Sequence, residues 1–325
     1  MRKIKIKFVD FWKNFNYKEN DFYKILSQKY EIEISDTPDF LFYSVFGNEY
    51  LEYDCIKICY VGENIIPDFN LCDYGIGFAN LNFEDRYLRI PLYSLFQYKK
   101  YLKLALDIHN QNNIIKKKFC NFIYSNGNTD KEREEFYNLL SQYKKVDSGG
   151  RYLNNIGGPV KDKFSFQQQY KFSIAFENTS SKGYTTEKLI EAKAAGTIPI
   201  YWGNPEIAKE FNSKSFINCH EYKNFEEVIE EIKRIDSDDK VYFEYLREPF
   251  SLKENDMVKE YEKELENFLY NIIEKNKKER SVDNTSLSFT SYGSLKKMRD
   301  INNNKVMRRI IRTFFKIKRK VDKLK

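Results

Sequence analysis

From Ile4 onward, short runs of β-branched and aromatic residues take turns with helical stretches. A chain that repeats strand, helix, strand closes into a parallel sheet covered by helices on both faces. The first block reads as strands at Ile4–Val9, Phe40–Ser44, Ile56–Val61, Tyr74–Phe78 and Phe122–Ser125, with helices near Asp21–Tyr30, Leu92–His109 and Asp130–Tyr143. Ser148, Gly149 and Gly150 then break the alternation. A second block follows, with strands at Phe172–Phe176, Ile198–Trp202 and Ser215–Asn218 and helices near Phe164–Tyr170, Thr186–Ala195, Phe225–Arg234, Asp239–Arg247 and Val258–Ile273. Asn204 is a good cap and Pro205 a good first helical residue, so another helix is expected to start there. At 325 residues the chain is longer than one core usually serves. The expected organisation is an α/β domain over 1–147, a second over 148–275, a polar linker over 276–304 and a tail over 305–325.

Hydrophobic residues at 41% and aromatics at 17% exclude a disordered chain. Charge is unevenly placed: the chain carries +7 overall, but residues 305–325 hold ten Lys or Arg against one Asp, which leaves the body at −2. Within the tail, Ile310, Ile311, Phe314, Phe315 and Ile317 fall near helical spacing opposite the basic residues. Such a helix suits an anionic membrane surface, where each basic residue contributes about 1 kcal/mol. Docking on the protein's own body and non-specific nucleic-acid contact are the alternatives, and phosphate binding does not require the apolar stripe. No nucleic-acid partner is expected.

Met1–Val9 alternates charged and apolar residues as a strand does, without the apolar core of a signal peptide. No uncharged apolar run reaches the roughly 18–20 residues that span a bilayer. Five cysteines at irregular spacing fit a reducing compartment, which makes a cytoplasmic location the expectation. Cys55 and Cys59 have no second pair, and His109 and His220 lie far away in sequence, so no metal site is expected. Asp236-Ser237-Asp238 copies a chelating pattern but sits between two helices and reads as a solvated turn.

Ligands of open α/β sheets bind beyond the carboxyl ends of the strands, where loops and helix N-termini converge. In the second block that rim carries Glu177 and Asn178 after one strand, Tyr184, Glu187 and Lys188 at the entry to a helix, and Trp202–Asn204 after the next strand. A helix N-terminus and a lysine favour phosphate, and carboxylates suit sugar hydroxyls, so a nucleotide diphosphate fits; Glu187 and Lys188 as mere decoration of a helix start is the plainer alternative. No dinucleotide-binding glycine fingerprint and no P-loop appears. In the first block Glu63 follows the strand Ile56–Val61 and is either an exposed loop acid or a base facing a cleft.

At these residues the sequence resembles the α-1,3-fucosyltransferases of glycosyltransferase family 10, bacterial members above all. The resemblance rests on Phe172–Thr179 (FSIAFENT), Gly183–Ile190 (GYTTEKLI), Gly196–Gly203 (GTIPIYWG) and Phe211–Asn218 (FNSKSFIN). Tyr60–Asn64 (YVGEN), Phe69–Tyr74 (FNLCDY) and Asp85–Leu92 (DRYLRIPL) extend it through the first half. It implies a GT-B fold of two Rossmann-like α/β domains facing a central cleft, GDP-β-L-fucose as donor, an inverting displacement without a required metal, and N-acetyllactosamine-type acceptors. It places Glu63 as the base, and Arg133, Glu177, Asn178, Tyr184, Glu187 and Lys188 at the donor. A bacterial cytoplasmic enzyme touching the inner membrane through residues 305–325 is the implied setting. An α-1,4 or mixed-linkage enzyme, a transferase of another nucleotide sugar, and a non-catalytic lipid- or polyanion-binding protein are the competing readings.

Overall fold

The computed structural model describes residues 1–108, 118–252, 256–275 and 291–304, together with 306, 307 and 313. In the first half β1 (Arg2–Val9), α1 (Asp21–Lys29), β2 (Tyr30–Ile34), β3 (Phe40–Tyr43), β4 (Ile56–Tyr60), β5 (Tyr74–Gly77), β6 (Tyr87–Arg89) and α2 (Lys99–Asp107) follow one another. The strands form one parallel sheet in the order β2-β1-β3-β4-β5-β6. Every residue of β3 and β4 is buried, as interior strands covered on both faces require. β2 escapes the sequence pattern because it starts at Tyr30, the residue that caps α1, and β6 escapes because it is three residues long. From β1 the chain goes out to β2 and returns to β1's other side at β3, so the sheet has its switch point between β1 and β3.

The second half contains β7 (Lys118–Phe122), α3 (Glu132–Tyr143), β8 (Val146–Ser148), α4 (Lys163–Gln167), β9 (Tyr170–Phe176), α5 (Glu187–Ala194), β10 (Ile198–Trp202), β11 (Ile217–Asn218), α6 (Phe225–Ser237), α7 (Asp239–Arg247), α8 (Met257–Glu274) and α9 (Ser291–Asn303). Its sheet, again parallel, runs β11-β10-β9-β7-β8, with the switch point between β7 and β9.

Four expectations are corrected here. The division at 147/148 cuts through the second sheet, because β7 and β8 pair with β9 and with each other rather than with the first sheet. Ser148–Gly150 is a close approach, not a boundary: a Cβ on Gly150 would collide with the backbone of Tyr124. Nor does residue 275 close the second unit. α8 buries Leu265, Phe268, Leu269, Ile272 and Ile273 against Ile4, Leu26, Tyr30 and Tyr74 of the first. The polar linker contains α9, which is held on the first unit by Tyr292 packed with Leu51 and Leu71, by the Tyr292 hydroxyl donating to the Leu51 carbonyl, and by an Arg299–Glu52 ion pair.

No α-helix begins at Pro205. Asn204 Oδ1 accepts from Glu206 N–H as a cap would, but only a single turn at Ile207–Lys209 forms before Phe211 is buried and the chain bonds to Phe250. Asp236 is no solvated turn. Its carboxylate is 4% exposed and accepts from Lys144, from Tyr143 at 3.0 Å and from Lys171 at 3.3 Å, which pins the end of α6 to α3 and β9. The tail lies outside the described residues apart from 306, 307 and 313, as does His109.

A third apolar cluster joins the two units. Tyr93, Leu102 and Ala105 from the first half pack with Leu189, Ile190, Ala192, Tyr201 and Phe211 from the second. Beside it Arg89 at the end of β6 donates to Glu210 at 2.7 Å and to the carbonyls of Phe78 and Gly183, while Tyr93 and Asn204 donate to the same carboxylate. The carboxyl ends of both sheets therefore face each other across one cleft.

Candidate functional site

The second wall is built around Glu177, fully buried where β9 ends. Its carboxylate accepts from the Thr186 N–H and hydroxyl at 2.7 Å and from Lys188 Nζ at 2.9 Å. All of its visible bonding is internal: it closes the start of α5 and aims Lys188, and so occupies an N–H that the sequence reading leaves to a phosphate. Lys188 also donates to the Thr186 hydroxyl oxygen at 2.8 Å and stands 3.8 Å from Glu187. Burial disfavours the Lys188 charge, yet Glu177, Glu187 and Tyr184 outweigh it and hold the pKa well above the usual lysine value. Burial likewise opposes ionisation of Glu187, but Lys188 and Lys163 prevail and its pKa is lowered. Lys188 is therefore a fixed cation and Glu187 a fixed anion at neutral pH.

Arg133 on α3 is 1% exposed, lies over the Tyr124 ring at 4.0 Å and donates to the Phe176 carbonyl and, at 2.8 Å, to Asn178 Oδ1. Its Nε has no hydrogen-bond partner among the described residues. Arg133, Asn178, Glu187 and Lys188 together line a recess of about 240 Å³ beyond the carboxyl ends of β7 and β9, the switch point of the sheet. Lys163 and Asn126 line it too, and sequence reasoning passed over both. Their position next to a predicted helix start and strand end was the available signal.

Tyr184 is buried against Phe78 of the first unit, with ring centroids 5.0 Å apart. Burial and then Glu177 push its phenol pKa up, against the pull of Lys188. The preceding Gly183 has φ +78°, and a Cβ there would stand 2.9 Å from the Phe78 carbonyl oxygen, so glycine lets the two units touch at this loop.

From the first wall Val61 and Gly62 carry the chain past β4 to Glu63. Desolvation raises the Glu63 pKa; Lys188 draws it down and the charges of Glu187 and Glu177 push it up. Glu63 therefore shares one electrostatic neighbourhood with three residues of the opposite wall. The next residue, Asn64, was not singled out in the sequence, yet it bridges the cleft directly. Its amide donates to the Thr179 hydroxyl and, at 3.2 Å, to that of Ser181. Behind Glu63 opens a second recess, of about 260 Å³. Glu63 thus belongs to the first wall, Arg133, Asn178, Glu187 and Lys188 line a recess of the second, Tyr184 is buried where the two units touch, and Glu177 lies buried beneath the start of α5. Among the described residues no group of three or more His, Cys, Asp or Glu gathers as metal ligands do, and no helix is long and apolar enough to cross a membrane.

Residues 6–96 match the α-(1,3)-fucosyltransferase FucT N-terminal domain, and residues 114–291 match the C-terminal domain of glycosyltransferase family 10 (fucosyltransferase). An α-(1,3)-fucosyltransferase FucT of Helicobacter pylori is 38% identical over 286 residues, which cover 75% of this chain and 60% of the relative. The chain therefore spans less than two thirds of that relative's length. The human GDP-fucose protein O-fucosyltransferase 3 is 29% identical over 197 residues, 55% of this chain and 40% of that protein. A crystal structure of an α1,3-fucosyltransferase with GDP-fucose superimposes with a TM-score of 0.71 at 33% identity, covering 85% of this chain and 92% of the other. The two parallel α/β units across a cleft are the GT-B arrangement. With its C-terminal domain matched over more than half its length and its N-terminal domain matched as well, this chain belongs to glycosyltransferase family 10, the fucosyltransferases.

Proposed function

We propose that the chain transfers L-fucose from GDP-β-L-fucose, with inversion, to the 3-OH of N-acetylglucosamine in N-acetyllactosamine-type glycans, as in Lewis-type antigens. The observation that carries this reading is a cleft with Glu63 on one wall and Glu187 and Lys188 on the other, bridged by the Asn64 amide on the Thr179 and Ser181 hydroxyls. The names of the relatives supply the donor and the sugar. As the fucose–phosphate bond breaks, positive charge grows on the sugar and negative charge on the departing diphosphate. Lys188 and Arg133 are disposed to stabilise GDP, and no divalent cation is assigned a step. Glu63 takes the acceptor proton from the opposite side. Its raised pKa makes it a stronger base than a solvated glutamate, the direction this task requires.

The test is incubation with GDP-fucose and N-acetyllactosamine, with product linkage read by mass spectrometry and NMR. Fucose on the 3-OH supports the reading. A 4-linked product, or transfer only from another nucleotide sugar, replaces it. Glu63→Gln should retain GDP-fucose binding and lose about 10²–10⁴-fold in turnover. Wild-type turnover in that variant removes Glu63 as the base.

A further inference from the structure

We propose that the recess behind Glu63 is the subsite for the acceptor's N-acetylhexosamine ring, and that the Tyr60 hydroxyl recognises its 2-acetamido group. This rests on the function proposed above. Three observations converge on it. The first is topological: Trp12 follows β1 and Phe46 follows β3, so the recess opens at the switch point of the first sheet, where the connections part and α/β folds bind ligands. It is the counterpart of the recess at Arg133 in the second sheet, and Glu63 is part of its lining.

The second is an unpaired group. Tyr60 is 1% exposed and its hydroxyl finds no hydrogen-bond partner among the described residues, although the Tyr60 carbonyl accepts from Ser44 at 2.8 Å. Phe22 and Phe96 meet the Tyr60 ring edge-on at 5.5 and 5.4 Å, and Phe11 stacks on it, so the hydroxyl is held in place. Buried hydroxyls are almost always paired, and an exception calls for a partner from outside the fold. Burial first, then Tyr98 and Asp21, keep the phenol protonated and hence a donor. A Cβ on Gly62 would lie 3.1 Å from the Tyr60 oxygen, so the glycine keeps that side of the buried hydroxyl clear of a side chain.

The third is the character of the walls. Trp12, half-buried and edge-on to Phe96 at 5.3 Å, and Phe46, 53% exposed at the lip, present the aromatic surfaces against which a pyranose lays its C–H face. A recess of about 260 Å³ admits one ring with its substituents and leaves the rest of the glycan outside. When Glu63 takes the proton of the 3-OH, the substituent on the neighbouring carbon is the 2-acetamido group, whose carbonyl accepts from a phenol.

The experiment compares N-acetyllactosamine with lactose as acceptors for the wild type and for Tyr60→Phe, measuring KM for each acceptor, KM for GDP-fucose, kcat and melting temperature. Loss of one neutral hydrogen bond should raise the N-acetyllactosamine KM about 5–10-fold and erase most of its advantage over lactose. The GDP-fucose KM should stay within about twofold, since no donor contact is touched. Phe46→Ala, at a position that is 53% exposed, should also raise the acceptor KM. Unchanged acceptor KM in both variants, with a higher melting temperature for Tyr60→Phe, overturns the proposal, because the hydroxyl was then only an unpaired burial. Failure of the wild type to fucosylate any hexosamine acceptor overturns the proposed function and this inference with it. Wild-type transfer with indifferent variants overturns this inference alone.

Discussion

Replacing Arg89 with methionine removes the cation that faces Glu210, and the consequences should reach both stability and donor binding. The two side chains are 21% and 11% exposed and 2.7 Å apart. Breaking a buried pair by deleting one partner typically costs about 3–5 kcal/mol. Two features favour the lower end: Tyr93 and Asn204 still donate to the carboxylate, and burial already raises the Glu210 pKa in spite of Arg89, so a proton can replace the lost cation. A loss of about 3 kcal/mol, at the roughly 2–4 °C per kcal/mol of domains with 150–250 residues, lowers the melting temperature by roughly 6–12 °C. Arg89 also holds the Gly183 carbonyl, while Asn204 holds the Gly183 N–H at 2.8 Å, so the variant slackens the loop that carries Tyr184 and Thr186. If that loosening amounts to about 1.4 kcal/mol, the GDP-fucose KM rises about tenfold. The assay pairs thermal melts with donor titration for Arg89→Met, Glu210→Gln and the double variant, whose coupling should be about 1–3 kcal/mol. A melting shift below about 2 °C, strict additivity and an unaltered donor KM would refute the reasoning.

The remaining predictions concern charge. Glu187→Gln removes an anion that pushes the Glu63 pKa up, so the acidic limb of the kcat/KM profile should move to lower pH in that variant; a limb that stays in place separates the two carboxylates. Lys193 is buried, donates to the Ser215 and Tyr245 carbonyls, and has its pKa lowered to about 7 by desolvation. Between about pH 7 and 10 the unfolded chain binds the extra proton, so wild-type stability should rise with pH relative to Lys193→Met, as denaturant melts of both would show. Truncation after Asn304 should abolish pelleting with phosphatidylserine vesicles at low salt, and equal pelleting of the two forms removes the membrane role of residues 305–325.

Legibility in the sequence followed punctuation and burial. β10 falls at the expected Ile198–Trp202 between Gly196 and Gly203, and α7 at the expected Asp239–Arg247, with Asp238 accepting from the Lys240 and Val241 N–H groups. The rule that strand ends carry chemistry points to Glu63, Glu187 and Lys188, which line recesses on the two walls of the cleft. What stayed hidden was allegiance. Nothing within β7 says that it pairs with β9 rather than β5, and nothing within α8 says that Phe268 and Ile272 return to the first sheet, because such choices are made by surfaces distant in sequence. α9 reads as linker in the sequence because it is held by two apolar anchors, Tyr292 and Leu295. Side-chain roles were hidden for the same reason. Glu177 looks like a ligand group until Thr186 and Lys188 are seen to claim it, and a buried hydroxyl such as that of Tyr60 is unpaired only once its neighbours are known.

The chain leaves the first unit between Asp107 and Lys118 and rejoins it between Arg247 and α8. In chain order the second sheet is thus an insert spliced into its neighbour, tethered at both ends to the same body. Two tethers resist swivelling, and the apolar seam of Leu102 and Ala105 on Leu189 and Ile190 resists prising apart. On the proposed function, the nucleotide sugar enters the gap between a host and an insert that is joined to it at both ends. For the engineer, the same double splice marks out residues 118–252 as a cassette that can be exchanged between relatives while both of its joints stay on one unaltered host.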